Sequence, residues 1–504
     1  MPASSVTSTP TTTVTAPQST DYRAMAMVTT LFFAWGFLTC LNDILIPHLK
    51  TIFDLNYAGI MLVQFAFFGA YFIFSFPSAK IIDFLGYQRA MVIGLITMAL
   101  GAALFVPAAS VPSYPLFLTA LIVLAAGMTV LQTSANPYVA VLGPPETAST
   151  RLNLTQAFNS FGTFIAPWVG KVLILGAVAA PLAVEVLRQM PPDQLHAYRV
   201  SQASSVKVPY IGFAIALLVL AIVIGLSKLP KIAAAEAHGE VHGSVWRYRH
   251  LVLGALAIFV YVGAEVSIGS FLTNYLNRPE IGNMSLEVAA GMLIFYWGGA
   301  MIGRFLGSSV LSGVRAVSMG VTFIVCCAVL GLSYALRASS VSNEHVVLKE
   351  LLYALANGRP FFVLVASVVL ILAIAAASKG GKLLVKTPLL LALCAIIAAM
   401  FVCTSMLTLG HMAMWAILFV GLFNSIMFPS IFTLAIDGLG ELTGDGSGLL
   451  VAAIVGGAII PELQGILADH IGIHRAFIIP VICYIYIAYY GFRGSRHATR
   501  AAVA

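Results

Sequence analysis

The chain has 504 residues, of which 60% are hydrophobic and only 9% are charged. Soluble domains carry roughly 45–50% apolar and about 25% charged residues, so this composition excludes a water-soluble globular protein and favours a lipid-facing surface. The net charge of +7 does not indicate nucleic-acid binding, because the basic residues stand singly between apolar runs. The six cysteines form no CxxC pair, and they predict neither a metal site nor a disulfide framework.

Residues 1–23 are predicted to form a disordered tail, since they are rich in Ser, Thr and Pro and lack the pattern of a signal peptide. A membrane-crossing helix needs about 20 mainly apolar residues. Such runs predict six spans near 24–47, 57–80, 88–108, 114–140, 155–179 and 208–228. Eight more are predicted near 250–277, 287–311, 316–336, 361–378, 388–409, 415–436, 447–470 and 476–492.

The sequence predicts two lobes, 24–228 and 250–492, separated by a charged cytoplasmic linker at 229–249. If the N-terminus is in the cytoplasm, most Lys and Arg residues, Arg304 among them, are predicted in cytoplasmic loops. The longest loops on the outer side are then 180–207 and 337–360. The lysines at 379–386 lie inside only if both 316–336 and 361–378 cross. We therefore predict fourteen crossings, both termini in the cytoplasm, and a cytoplasmic tail over 493–504.

A few ionisable residues interrupt the apolar runs: Asp43, Lys171, Glu265 and Glu462. Such groups cost about 2.5–3.5 kcal/mol each on insertion scales, so each is a functional hypothesis. Six spans, a basic linker and at least six more spans are typical of two-lobed secondary transporters. A structural ion pair at a helix terminus or a loop base is the alternative for Asp43.

Amide side chains cluster on helix faces. Gln132 and Asn136 are four residues apart, and Asn153, Gln156 and Asn159 follow one another at spacings of three, so each set shares one face. Amides and acids can each bind adjacent hydroxyls, which favours a polyol substrate, although interhelical hydrogen bonding would explain them equally well. The predicted substrate-binding residues are Asn42, Gln132, Asn136, Gln156, Asn159, Asn274 and Asn424.

Enzyme signatures are missing from the sequence. It contains no Gly-rich phosphate loop, no HExxH and no GxSxG at a strand-to-helix turn. No stretch is suited to a soluble nucleotide-binding domain. The sequence therefore predicts a protein that is not an enzyme, needs no cofactor or metal, and draws on an ion gradient for any coupled work.

Several ordered motifs resemble one known family. They are Leu31-Phe32-Phe33-Ala34-Trp35-Gly36, Leu41-Asn42-Asp43-Ile44-Leu45-Ile46-Pro47-His48, Phe67-Phe68-Gly69-Ala70-Tyr71-Phe72, Ala135-Asn136-Pro137-Tyr138-Val139, Arg151-Leu152-Asn153-Leu154-Thr155-Gln156, Tyr261-Val262-Gly263-Ala264-Glu265 and Asn424-Ser425-Ile426-Met427-Phe428-Pro429. Together they resemble the fucose–galactose–glucose:proton symporter family of the major facilitator superfamily, over about 24–336 and 388–492. The pattern from Gly263 to Phe271 is more similar to the glucose/galactose branch.

This resemblance implies an all-α polytopic membrane protein with the major facilitator fold, which imports a hexose with protons by alternating access. Asp43 matches the family's first-span carboxylate, whereas Gln132 stands where the fucose branch has a fourth-span Glu. We hypothesise that Glu265 takes over part of that missing role, which makes Asp43 and Glu265 the proton-coupling residues. A helix pair inserted within 316–378 is a second departure, and we expect it to be peripheral.

The expected partners are a sugar, a proton and the lipid bilayer of the plasma (inner) membrane, with the monomer as the functional unit. Glucose or galactose is the expected substrate, with fucose also open. Three alternatives stay open at this point: a sodium-coupled sugar symporter, an exporter of another small metabolite on the same fold, and a sensor or membrane enzyme. An exporter would favour an apolar aromatic cavity over paired amides.

Overall fold

The computed structural model describes residues 19–53, 57–170, 186, 189–230, 244–284, 286–312 and 386–496. Within these ranges every regular element is helical. The first set is α1 (Tyr22–Phe53), α2 (Tyr57–Ser110), α3 (Tyr114–Val141), α4 (Ala148–Gly170), α5 (Pro192–Ser204) and α6 (Lys207–Leu226). The second set is α7 (Arg249–Asn277), α8 (Leu286–Leu311), α9 (Thr387–Leu407), α10 (Gly410–Asn424), α11 (Met427–Ile436), α12 (Thr443–Ala452), α13 (Gly456–Ile471), α14 (Ile473–Ala476) and α15 (Ile478–Tyr489).

Nine helical segments of the described residues are long and apolar enough to cross a membrane. One of them includes two predicted spans, which are separated by a break in α2 at Gly86. The φ of Gly86 is 78°, a value that only glycine adopts without strain. The predicted spans at 316–336 and 361–378 lie outside the described residues, as do 171–179 of the fifth span and most of the 229–249 linker. The all-helical, multi-span class is thus confirmed, and the count of fourteen stays a prediction.

Two local expectations were wrong. The outer loop predicted at 180–207 contains the helix α5, whose Pro192 at the first position fixes a helical φ and needs no amide partner. Arg304, counted with the inner loops, lies inside α8, seven residues (about 10 Å) before its end. Its side chain is only 11% exposed, so this cation is held within the bundle.

Two of the predicted spans are discontinuous helices. The span predicted at 415–436 is divided into α10 and α11 at Ser425 and Ile426, and the span at 447–470 is divided into α12 and α13 by the 3₁₀ turn Ala453–Val455. Interrupted helices are tolerated at membrane depth only where protein groups or water satisfy the freed backbone. At the first of these interruptions a side chain supplies the missing bond, because Arg304 Nε donates to the Ser425 carbonyl.

Small residues allow the helices around these interruptions to approach closely. A Cβ built on Gly299 of α8 would lie 3.2 Å from the backbone nitrogen of Leu422 in α10, and one on Gly303 would collide with the Leu422 carbonyl. This close packing is the role that glycines commonly have in membrane helices. It brings Arg304, the next residue of α8, against the break between α10 and α11.

The two lobes contact each other at one end of the bundle, which we call the closed end and define by the connecting segments 80–87, 142–147 and 437–442. Lys80 lies 3.5 Å from Asp445 across the lobes, between side chains that are 63% and 33% exposed. The hydroxyls of Ser149 in α4 and Thr433 in α11 are 2.6 Å apart. Ser308 of α8 donates to the carbonyl of Thr150 at 3.2 Å.

Deeper in the bundle, Ser447 of α12 donates to the carbonyl of Thr133 in α3 at 2.8 Å, and both residues are fully buried. Arg304 donates to the hydroxyl of Ser160 in α4. Ser160 lies about 18 Å along α4 from its start at Ala148. Polar contacts between the lobes thus extend from the closed end about 18 Å along α4, a length of more than half of a 30 Å hydrocarbon core.

Candidate substrate and ion-coupling site

Glu265 is the centre of a polar cluster in the second lobe. Its carboxylate oxygen Oε1 accepts a hydrogen bond from the Tyr261 hydroxyl, one turn earlier in α7, at 2.8 Å. The same oxygen lies 3.8 Å from an Arg304 nitrogen of α8, and the two charged side chains remain 13% and 11% exposed. A buried acid needs a cation and hydrogen bonds to be tolerated, and Glu265 has both. Glu265 is therefore a buried but partly exposed acid.

Arg304 makes two further contacts, and the sequence explains one of them. Its Nε donates to the Ser425 carbonyl at 3.1 Å. In a continuous helix that carbonyl would accept from residue 429, but Pro429 has no N–H to give. Arg304 therefore supplies the hydrogen bond that the proline removes, and in doing so its guanidinium is fixed beside Glu265.

Tyr296 and Asn424 complete the cluster. The Tyr296 hydroxyl donates to the main-chain carbonyl of Glu265 at 3.2 Å, and it accepts from Asn424 Nδ2 at 3.2 Å. The Oδ1 atom of Asn424 is buried and has no hydrogen-bond partner. The predicted residues Glu265 and Asn424 are thus brought together through one tyrosine, and an unpaired acceptor is left over.

The first lobe holds a second, uncharged cluster. Gln132 Nε2 donates to the hydroxyl of Tyr71 in α2 at 2.8 Å, and Gln156 Nε2 donates to Asn136 Oδ1 at 3.3 Å. Asn136 Nδ2 is buried without a partner. The amide faces of α3 and α4 are therefore joined by an interhelical hydrogen bond, which was the alternative explanation for them. The unpaired atom of Asn136 is a donor.

The remaining predicted residues are placed differently. Asn159 donates to the Phe32 carbonyl of α1 at 3.0 Å, a helix-packing contact. Asn274 lies in α7 with an exposed side chain, apart from the Glu265 cluster. Asn42 and Asp43 lie within α1, and their side chains are outside the described part of the chain.

Sequence reasoning missed Arg304, Tyr71 and Ser160 as members of these clusters, and it did not foresee the hydrogen bonds of Tyr296. A signal for Arg304 was available: an acid at mid-span calls for a cation, and Pro429 calls for a donor to the Ser425 carbonyl. The tyrosines carried no comparable signal, because an aromatic residue in an apolar run is compatible with plain packing.

The sequence model of the Major Facilitator Superfamily matches residues 26–358 of the chain. The glucose/galactose transporter of Brucella abortus is 45% identical over 498 residues, which are 98% of this chain and 100% of that protein. The L-fucose-proton symporter of Escherichia coli is 33% identical over 482 residues, which are 94% of this chain and 93% of that protein.

A crystal structure of a major facilitator transporter, FucP, in the outward conformation superimposes with a TM-score of 0.74 at 32% identity. The match covers 94% of this chain and 98% of that one. The superfamily consists of transporters and not enzymes, so the expectation of a multi-pass membrane transporter is confirmed. The chain belongs to the major facilitator superfamily and, within it, to the fucose–galactose–glucose:proton symporter family, on the side of its glucose/galactose branch.

Proposed function

We propose that the protein imports a hexose, glucose or galactose before fucose, together with protons, by alternating access in the plasma (inner) membrane. The observation that carries the proposal is that each lobe buries amide atoms without a partner, among them a donor at Asn136 in the first lobe and an acceptor at Asn424 in the second. Leaving a buried polar atom unpaired costs about 1–3 kcal/mol. A sugar hydroxyl both donates and accepts, so a sugar held between the lobes would relieve both costs.

The lobe contacts support an outward-facing state. The closed end carries Lys80, Arg89 and Arg151, and the positive-inside rule places such an end in the cytoplasm, with both termini. In this orientation the lobes meet on the cytoplasmic side, and sugar enters from the other side. The similarity to a transporter structure in the outward conformation supports the same assignment.

Proton coupling is assigned to Asp43 and Glu265. The name of the fucose relative supports protons as the coupling ion, and the remaining exposure of Glu265 gives it a route to water. Gln132, the neutral residue in place of the fucose branch's acid, is assigned to sugar binding with Asn42, Asn136 and Gln156. Coupling requires only that proton and sugar each favour one set of conformations.

Uptake of radiolabelled glucose, galactose and fucose into proteoliposomes at several pH values tests the proposal. We expect accumulation in sodium-free buffer that a protonophore abolishes, whereas a sodium-coupled symporter would require sodium and survive the protonophore. Asp43→Asn is expected to lose proton-driven accumulation and to retain sugar counterflow. Glu462→Gln is the matched control, because that acid is exposed on α13 and takes part in none of the contacts described for the Glu265 cluster. Full pH-dependent accumulation by Asp43→Asn would refute the assignment.

A further inference from the structure

Arg304 is the one described side chain shared between the Glu265 carboxylate and the opposite lobe. Its guanidinium contacts three oxygens: the Ser425 carbonyl, the Ser160 hydroxyl of α4, and, more loosely, Glu265 Oε1 at 3.8 Å. A charge-assisted N–H···O bond normally measures about 2.7–2.9 Å. The ion pair is therefore about 1 Å longer than its optimum, while the contact with the first lobe is fully made.

We propose that Arg304 is a positioning residue whose hydrogen bond to Ser160, a contact between the two lobes, depends on the protonation state of Glu265. This inference rests on the proposed function, in which Glu265 takes up a proton. When Glu265 is charged, it attracts the guanidinium toward α7 and weakens the Arg304–Ser160 bond. When Glu265 is protonated, that attraction is lost, and Arg304 stays with Ser425 and Ser160.

The consequence is that a proton on Glu265 stabilises the closed end. A protonated carrier without sugar is then held facing outward, which limits the uncoupled passage of protons. The two contacts compete for one guanidinium, because Glu265 belongs to the same lobe as Arg304 and Ser160 belongs to the other. A stronger contact with Glu265 is thus made at the expense of the contact between the lobes.

Other groups face Glu265 from the helices packed around it, and they bear on its titration. Tyr261 comes from its own helix, Tyr296 and Arg304 come from α8, and Tyr484 comes from α15. The tyrosines are neutral over the accessible pH range. Among these groups Arg304 is thus the one charge able to follow the state of Glu265.

The test measures the opening of the closed end directly. Spin labels at Glu146 and Glu441, exposed residues in loops of the first and second lobe, report the distance between the lobes. The six native cysteines are replaced first, and the background carries Asp43→Asn so that the other proposed acid contributes no titration. Distances are measured without sugar from pH 5 to pH 9 in reconstituted protein.

We expect the short-distance population to increase as the pH falls, and Glu265→Gln to hold it high at every pH. Arg304→Gln is expected to abolish the pH dependence. Ser160→Ala is expected to lower the closed population about tenfold, and Ser309→Ala, which removes a hydroxyl bonded only within α8, is the control. If Arg304→Gln misfolds, Ser160→Ala still decides the question, because it leaves both charges in place but removes the contact that responds to them, so its closed population should no longer depend on pH.

The inference is overturned if Arg304→Gln keeps the normal pH response, or if Ser160→Ala behaves like Ser309→Ala. Failure of the proposed function has a different signature: Glu265→Gln, in a chain with Asp43 intact, would show unchanged proton-driven sugar accumulation. A purely structural role for Arg304 would lower the amount of folded protein in its variants but would not flatten the pH profile.

Discussion

Ser447→Ala should open the closed end, and the structure sets the size of the effect. Pro137 has no N–H, so the carbonyl of Thr133, four residues earlier, has no helical donor. Ser447 of the opposite lobe supplies one at 2.8 Å, at a site that is fully buried. Without the hydroxyl the carbonyl is unpaired in the closed state, which costs about 1–3 kcal/mol. In the open state water can reach the carbonyl, so the cost falls on the closed state alone.

A difference of 1–3 kcal/mol corresponds to a population shift of about 5–150-fold toward conformations in which the lobes have separated at this end. Spin-label distances between Glu146 and Glu441 measure it. The decisive control is Pro137→Ala, which returns an N–H to the helix, so that Ser447→Ala should have little effect in that background. An equal shift in both backgrounds, or no shift in either, would refute the reasoning about the freed carbonyl.

Two further substitutions test the clusters at other points. Gln132→Glu places an acid beside the Tyr71 hydroxyl, at the position where the fucose branch has one. Sugar binding measured by calorimetry should then include a proton-linked step that the parent protein lacks. Identical pH profiles of sugar affinity in the variant and the parent would contradict this. The Lys80–Asp445 pair is largely exposed, so Asp445→Asn should lower the population with short distances between the lobes by no more than about fivefold. Lys80 also pairs with Asp83 at 3.6 Å, so the swap of Lys80→Asp with Asp445→Lys should restore the closed population in an Asp83→Asn background. A larger, unrestored change would mean that Asp445 acts through other groups.

The fold was largely predictable because its signal is long and redundant. Runs of about 20 apolar residues show a membrane span whatever their neighbours are, and the main errors concerned α5, a short polar helix, and Arg304, a charge inside a helix. The amide faces were also predictable, since helical spacing places Gln132 beside Asn136. Their partners were not, because Tyr71 and Tyr296 come from other helices, and nothing local in the sequence distinguishes them from packing aromatics.

The two lobes share one hydrogen-bonding arrangement, in which an amide side chain that bonds to a tyrosine hydroxyl precedes a carbonyl freed by a proline. In α3, Gln132 precedes the carbonyl freed by Pro137 and donates to a tyrosine hydroxyl of α2. At the break between α10 and α11, Asn424 precedes the carbonyl freed by Pro429 and donates to a tyrosine hydroxyl of α8. The halves of this fold are parallel repeats about an axis along the membrane normal, so such correspondence is expected.

The two copies of this arrangement differ in the group that donates a hydrogen bond to the freed carbonyl. In the first lobe it is a neutral serine of the opposite lobe, and in the second it is the cation Arg304, with Glu265 beside it. An acid is better tolerated next to a cation than next to a neutral hydroxyl. This difference gives a physical reason for a neutral residue at position 132 and a carboxylate at position 265, and it supports the proposed roles of Gln132 in sugar binding and of Glu265 in proton coupling.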